Sequence, residues 1–494
     1  MFKRIELENF RSFGHVTLDL TGPRDSPLRL AAVYGENGCG KTDLIDSVVF
    51  LRDTVGTIAV SEDVRSLALR RRMLSCDDPM TVSYRMLIDG SDADYSMTFG
   101  TDGRVIREEL RYRIRDRVGR YYLIESSEDG VSVNLGNSLF QDREYRAEME
   151  GAIGRLWGDH TFLSIMNGEY LSKDRVWMDA RIRPGMGDVL GYIRGIAINS
   201  PSLLDGTTPA DRIGRSLECG VIPADEMSVL DAYGDAISRF LGRLYSDIRG
   251  VRYITEESSD GSLQYELVIM KRVAGEVRDI PVGLESRGTR NLISLLPALI
   301  ACAGGGTAFI DGLDYGLHDK FVSDIMEQIV PDMGGQLVFT THNTSLLESI
   351  DPRSAFVIRV DIEGFKDISS FPSIARTQRN NNNRQRYLYG QFDGVPIIGN
   401  VGIRDISERF HRNVGERFGP RRRRGGDFRP PPFREGRFVS LTLVQERQKN
   451  RRNHGGGRAM KCEDKDGVMA GSPPPGMRFR SGPRIPRRPW GTSP

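Results

Sequence analysis

The chain has 494 residues, of which 38% are hydrophobic, and a formal net charge of +2 at pH 7. No apolar run approaches the roughly 20 residues of a membrane-spanning helix, and no apolar signal region follows Met1, so we expect a cytoplasmic protein without a membrane partner. The five cysteines form no CxxC pair, which argues against a disulfide framework and a zinc site. The length allows about three average domains or one large α/β domain with insertions.

The charge is distributed unevenly along the chain. Residues 401–494 contain 23 Lys and Arg against 9 Asp and Glu, whereas residues 1–400 carry a net charge of −12. The tail is dominated by Arg, Gly and Pro, a composition that cannot bury enough apolar surface to fold, so we expect 399–494 to be disordered. Its Arg and Phe residues could bind DNA or RNA, and a shifted reading frame would also explain the composition. Both interpretations stay open.

The first elements lead to a phosphate-binding motif. Alternating apolar residues over 2–20 predict two paired strands, and Leu28 to Tyr34 predicts a short buried strand. A helical pattern follows from Leu44. Between the buried strand and this helix lies a segment that matches G-x-x-x-x-G-K-[ST], composed of Gly35, Glu36, Asn37, Gly38, Cys39, Gly40, Lys41 and Thr42.

The residue types of this loop suit a nucleotide. Its glycines let backbone N–H groups surround phosphates, and the following helix directs its positive end at them. Lys41 supplies a full charge, and the Thr42 hydroxyl would bind Mg²⁺. The segment therefore predicts binding of a nucleoside triphosphate, which the later motifs narrow to ATP.

The middle of the chain reads as an antiparallel sheet followed by helices. Residues 81–123 alternate as strands, with reversals at Asp89-Gly90 and Asp102-Gly103, and residues 147–200 and 222–249 have mainly helical patterns. No heptads persist over several repeats, so a long coiled coil is not expected. We divide the chain into a first ATPase part with the loop and the antiparallel sheet, a mainly helical insertion, a second ATPase part and the tail, at 1–180, 181–280, 281–398 and 399–494.

Residues 305–361 alternate between strands and helices, which predicts a parallel sheet and an α/β fold. The predicted elements are Thr307–Asp311, Asp319–Val330, Gln336–Thr340, Ser345–Ile350 and Ala355–Val360. Asp311 ends an apolar strand, where a Walker-B carboxylate would hold Mg²⁺.

Several further segments resemble motifs of ATP-binding-cassette ATPases. Gly316–Asp319 resembles a D-loop, and Thr340–Asn343 resembles the segment of the switch histidine, His342. Leu284–Asn291 resembles the signature segment, with Ser286, Gly288 and Thr289 as its Ser-x-Gly-Thr core. Three more resemblances are an "NFRSF" opening, an "FLS" element and a closing "YLxGxYGxxP" segment, at Asn9–Phe13, Thr161–Ser164 and Tyr387–Pro396.

Residues 1 to about 397 thus resemble the AAA-family ATPases of cassette type related to RecF, the OLD nucleases and SMC heads, many of which occur in phage-defence and abortive-infection systems. The resemblance implies a P-loop NTPase fold of ABC type, in which helices flank a mixed central sheet and an antiparallel β subdomain and a helical insertion are attached. It also implies ATP and Mg²⁺ as cofactors, a separate effector protein as a partner, and an association with DNA.

The family organisation assigns roles to individual residues. It implies a homodimer that forms on ATP binding, in which Ser286, Gly288 and Thr289 face the nucleotide held by Lys41 and Thr42 of the other subunit. His342 would sense the γ-phosphate, and Arg11 could reach the nucleotide from the first strand.

One position departs from the family. Gly312 stands where a Glu usually polarises the attacking water, and Asp314 is the nearest carboxylate. Either Asp314 or His342 replaces the Glu, or the chain hydrolyses ATP slowly; a Glu introduced at 312 is expected to raise the rate. We therefore expect an ATP-hydrolysing switch, with a scaffold of little turnover and a nuclease- or repair-associated ATPase as alternatives.

Overall fold

The computed structural model describes residues 1–75, 77–114, 117–137, 139–200, 217–259, 261–377, 382–395 and 402–414. The chain divides into two units, Met1–Val401 and Gly402–Pro494. The described residues of the first unit form three sheets. No helix in the described ranges combines the length and the apolar character that crossing a membrane requires.

The first sheet has seven antiparallel strands. They are β1 (Phe2–Phe10), β2 (Phe13–Asp19), β4 (Met80–Ile88), β5 (Ser91–Phe99), β6 (Val105–Ile114), β7 (Arg117–Ser127) and β8 (Gly130–Leu135), in the spatial order β2-β1-β4-β5-β6-β7-β8. The predicted reversal at Asp89-Gly90 is confirmed, because Ile88 pairs with Ser91 and both turn residues have positive φ, 47° and 75°. Such a pair of left-handed residues is what a two-residue type I′ hairpin requires.

The second sheet is the predicted parallel sheet. Its strands are β3 (Leu30–Tyr34), β9 (Ala197–Asn199), β14 (Thr307–Ile310), β15 (Gln336–Thr340), β16 (Ala355–Val360) and β17 (Lys366–Ser370), in the order β17-β16-β3-β15-β14-β9. Only the β16–β17 pair is antiparallel. Every residue of β3 is buried, as expected for a central strand that is covered on both faces.

Helices cover the second sheet on both faces. On one face, Val33 and Phe309 share a core with the first sheet and with α1 (Lys41–Val60), α2 (Val64–Leu69), α3 (Arg143–Leu156), α4 (Phe162–Ser172), α5 (Arg175–Asp179) and α6 (Gly185–Arg194). On the other face, Ala32 and Ile310 pack with α8 (Arg287–Ala303), α9 (Asp319–Ile329), α10 (Phe371–Ile374) and α11 (Asn383–Leu388). The alternation of side chains along each strand produces these two cores.

The prediction for 181–280 as a mainly helical insertion does not agree with the structure. Besides α6 and α7 (Met227–Leu244), this region contains the antiparallel strands β10 (Cys219–Pro223), β11 (Ile248–Glu257), β12 (Ser262–Val273) and β13 (Glu276–Pro281). Tyr265, Leu267 and Ile269 are buried at every second position of β12, which is the period of a half-buried strand, and Val268 is buried as well. The sequence analysis did not use this alternation.

The elements predicted over 305–361 are present, with one change of type. Residues Thr344–Glu348 form a 3₁₀ helix where an α-helix was expected. In the second unit, Ile403–Val414 form α12, so this part of the tail that was predicted to be disordered is helical. The remaining tail residues, 399–401 and 415–494, lie outside the described residues.

Candidate functional site

The predicted phosphate loop connects β3 to α1 in a conformation that depends on glycine. Gly38 and Gly40 have φ values of +82° and +112°, which L side chains rarely adopt. A Cβ atom on Gly40 would also lie 2.8 Å from the Phe13 ring. The "NFRSF" segment therefore packs directly against the loop, and only glycine fits at position 40.

Lys41 is held inside the loop. Its Nζ donates hydrogen bonds of 2.9 Å to the carbonyl oxygens of Gly35 and Glu36. Burial lowers the pKa of Lys41, and the negative charges of Asp311 and Asp314 oppose this shift. Thr42, the next residue of the first turn of α1, is exposed.

Asp311 and Thr340 link the ends of two parallel strands beside the loop. The Thr340 hydroxyl donates to Asp311 Oδ1 over 2.7 Å and accepts a 2.7 Å hydrogen bond from the Gly312 N–H. Among the described residues, Asp311 Oδ2 has no hydrogen-bond partner. A hydroxyl and a free carboxylate oxygen are ligands that suit Mg²⁺, so Thr42 and Asp311 fit the predicted metal site.

Asp314 is hydrogen-bonded to the segment that contains His342. It accepts a 2.8 Å hydrogen bond from the Thr341 hydroxyl and a 3.2 Å hydrogen bond from the His342 N–H. Desolvation lowers the pKa of His342, Lys41 lowers it further, and Asp314 opposes both effects. The structure thus brings Asp311, Asp314 and His342 within electrostatic reach of Lys41.

Arg11 contacts α1 rather than the loop. Its Nε donates to Asp46 Oδ2 over 2.8 Å, and Arg71 forms two further hydrogen bonds with the same carboxylate. Asp46 is buried, so this cluster lies beneath the helix surface. The predicted contact of Arg11 with the nucleotide would have to use its two NH₂ groups, because its Nε is bonded to Asp46.

The predicted signature segment lies at the N-terminus of α8. The Ser286 side chain is the N-cap and accepts a 3.2 Å hydrogen bond from the Thr289 N–H, while Thr289 itself is buried. A Cβ on Gly288 would lie 2.8 Å from the Gly316 carbonyl oxygen, so the segment packs closely on the predicted D-loop. Ser286 is exposed, whereas the Thr289 side chain is directed into the protein.

Two neighbours of the loop follow from the fold. The closing segment supports the base of the loop, since the Tyr387 ring lies 5.6 Å from that of Tyr34 and a Cβ on Gly394 would lie 3.4 Å from Gly35 Cα. Pro396 of this segment lies outside the described residues.

The sequence analysis missed Lys366, whose Nζ donates to the Gly38 carbonyl oxygen over 3.3 Å. No motif marks this lysine, and only the pairing of β17 brings it to the loop.

Two families of known proteins match parts of the chain. The family described as "AAA domain, putative AbiEii toxin, Type IV TA system" matches residues 30–348, and a second AAA domain family matches residues 4–52. No curated protein matches the sequence.

Three SMC heads are among the similar solved structures. One is bound to the C-winged helix domain of ScpA; it has 15% identity and a TM-score of 0.41, and the match covers 75% of this chain and 97% of the other. The SMC head domain of Thermotoga maritima has 14% identity, coverage of 75% and 98%, and a TM-score of 0.35. The third is an SMC head domain with an extended coiled coil, bound to the C-terminal domain of ScpA derived from Pyrococcus furiosus. It has 15% identity, coverage of 75% and 96%, and a TM-score of 0.37.

The match over residues 30–348 covers more than half of the chain and spans the loop, Asp311 and His342. The chain therefore belongs to this AAA domain family of ATPases, which implies nucleotide binding and hydrolysis.

Proposed function

We propose that this chain is an ATP-hydrolysing switch that dimerises on ATP, and that it acts with a separate effector in a DNA-associated or phage-defence system. The proposal is supported chiefly by the arrangement of Lys41, Asp311, Asp314 and His342 around the phosphate loop. A buried lysine at a glycine-rich helix N-terminus, facing two carboxylates, suits a nucleotide with its metal ion.

The loop residues would bind the phosphates in the following way. Lys41 would exchange the carbonyl oxygens of Gly35 and Glu36 for phosphate oxygens of ATP. Thr42 and Asp311 would hold Mg²⁺, which neutralises phosphate charge when bound. His342 lies within electrostatic reach of Lys41 and Asp314, and its imidazole N–H can donate a hydrogen bond to the γ-phosphate.

Asp314 is the residue that we assign to the attacking water. It follows the strand end at Asp311 by three residues in the sequence, and its hydrogen bonds from Thr341 and His342 hold the carboxylate in one orientation. A residue so oriented can accept a proton from water, although the missing Glu at 312 favours slow turnover. The same absence supports the second candidate function, a nucleotide-dependent scaffold with little hydrolysis.

Lys41→Ala tests the nucleotide site. We expect the variant to lose measurable ATP binding in calorimetric titrations with Mg²⁺, because the charge that offsets the phosphates is gone. Lys320→Ala is the matched control, since Lys320 is exposed and pairs with Asp324 on α9. Equal affinities of Lys41→Ala and the wild type would refute the assignment of the loop.

A further inference from the structure

We infer that Lys366 is a second phosphate-binding lysine of the nucleotide site, and that it contacts the α- and β-phosphates that ATP and ADP share. This inference rests on the proposed function. The lysine lies outside the motifs that identify the family, and it follows Gly38 by 328 residues in the sequence.

The fold holds Lys366 in a defined place. It is the first residue of β17, which pairs with β16, the neighbour of the strand that leads into the phosphate loop. The preceding turn is fixed by Asp361, whose Oδ1 accepts hydrogen bonds of 2.9 Å from the Glu363 N–H and 2.7 Å from the Phe365 N–H. The backbone that carries the lysine is therefore well ordered by local hydrogen bonds.

The Lys366 ammonium lies against the loop and the "NFRSF" segment together. Its Nζ donates to Ser12 Oγ over 2.6 Å and to the Gly38 carbonyl oxygen over 3.3 Å, and it lies 5.6 Å from the centre of the Phe13 ring. Phe13 in turn contacts the position of Gly40. These contacts place a positive charge at the middle of the loop, whereas Lys41 binds the carbonyl groups at its beginning.

This positive charge has no direct ion pair within the described part of the chain. The nearest acidic link is indirect, since Ser12 Oγ donates to Asp43. The adjacent Asp367 is engaged by Arg359 and Ser369. An ammonium has three donors and two are used here, so one remains for an anion.

A phosphate chain is the anion that fits this position. Loop N–H groups in such motifs bind the α- and β-phosphates, and the motif lysine reaches the β- and γ-phosphates. Lys366, beside Gly38, would add a charge-assisted hydrogen bond on the side of the shared phosphates. Its contribution should therefore be similar for ATP and ADP.

The test compares Lys366→Met, Lys366→Arg and the exposed-lysine control Lys320→Met by calorimetric titration with ATP and with ADP. We expect Lys366→Met to weaken both nucleotides by about 10-fold or more, the usual scale of a charge-assisted hydrogen bond. Lys366→Arg, which keeps the charge, should stay close to the wild type, as should Lys320→Met. If Lys366→Met binds ATP and ADP as tightly as the wild type and only its melting temperature without nucleotide falls, the inference is wrong. The lysine would then serve only to link Ser12 and Gly38 by hydrogen bonds.

A second measurement uses the wild-type protein and does not depend on the folding of a variant. Acetylation of lysines is followed by mass spectrometry with and without ADP, and we expect ADP to protect Lys366 but not Lys320. Equal acetylation of Lys366 in both states overturns the inference. If Lys41→Ala abolishes binding while Lys366 is neither protected nor needed, only this inference fails; if Lys41→Ala binds normally, the proposed function fails.

Discussion

Gly312 has a backbone that does not suit the glutamate expected at this position from the family resemblance. Its φ of +74° lies in the left-handed region, which costs a non-glycine residue roughly 1–2 kcal/mol. The space itself is open, because a Cβ there would meet only Tyr315 Cβ at 3.8 Å. We therefore revise the sequence-based expectation: Gly312→Glu should destabilise the protein slightly and bring little or no gain in turnover.

Asp314→Asn should lower turnover without changing ATP affinity. The amide keeps an oxygen that can accept the hydrogen bonds from Thr341 and His342, but it loses the charge and the ability to take a proton. General-base assistance is worth about 10²–10⁴-fold, so phosphate release should fall within that range. Steady-state phosphate release and calorimetric affinity are measured together.

The control for this substitution is Asp324→Asn, which removes a comparable charge from the exposed face of α9. It should leave both quantities unchanged. Fast turnover in Asp314→Asn would assign the base to another residue, with His342 as the next to be replaced.

At the level of elements, a buried carboxylate joins the first sheet to the helices. Glu108 of β6 is fully buried, and burial raises its pKa while hydrogen bonds oppose the shift. Five groups donate to it: the Tyr95 and Tyr122 hydroxyls, Trp157 Nε1, and the N–H groups of Phe162 and Leu163. The last two belong to the first turn of α4, so the predicted "FLS" element anchors this helix to the sheet.

Glu108→Gln should destabilise the protein by about 1–3 kcal/mol, the cost of one unsatisfied buried donor. The glutamine oxygen can accept from Trp157 and Phe162, but its NH₂ group would then oppose the Leu163 N–H. Urea unfolding measures the loss. Glu125→Gln, which breaks an exposed pair with Arg107, should cost less than about 1 kcal/mol; equal losses for both variants would contradict the anchoring role of Glu108.

The parts of the fold that the sequence predicts are those with local signals. The phosphate loop has a fixed spacing, and β14 and β15 are short apolar runs between turn residues. In contrast, the strands β10 to β13 lie on either side of α7 in the sequence, and the prediction extended the helical pattern of α7 over the whole insertion. The contacts of Glu108 with Phe162 and of Lys366 with Ser12 join residues that are far apart in the sequence, so only the tertiary packing brings them together.

At the scale of the whole molecule, the exposed end of α8 is the surface that we expect to face a second subunit. Ser286 is exposed there, and two large apolar residues beside it and beside the D-loop are also exposed, Leu284 by 78% and Tyr315 by 66%. Exposed apolar groups next to a polar segment are typical of interaction sites. A head-to-tail pair would bury them and place Ser286 opposite the nucleotide of the partner.

Ser286→Asp should prevent ATP-dependent dimerisation while each subunit still binds ATP. Aspartate can replace serine as the N-cap of α8, so the helix stays intact. Its negative charge would, however, face the γ-phosphate across the interface, and like charges there cost several kcal/mol. Light scattering with ATP and Mg²⁺ should give twice the chain mass for the wild type and the single-chain mass for Ser286→Asp. Calorimetry should show that Ser286→Asp still binds ATP, with the affinity of the wild type at protein concentrations too low for dimerisation. Ser126→Asp is the control, because it adds the same charge to the exposed end of β7 and should dimerise normally. A wild type that stays monomeric at all ATP and protein concentrations would refute the dimer.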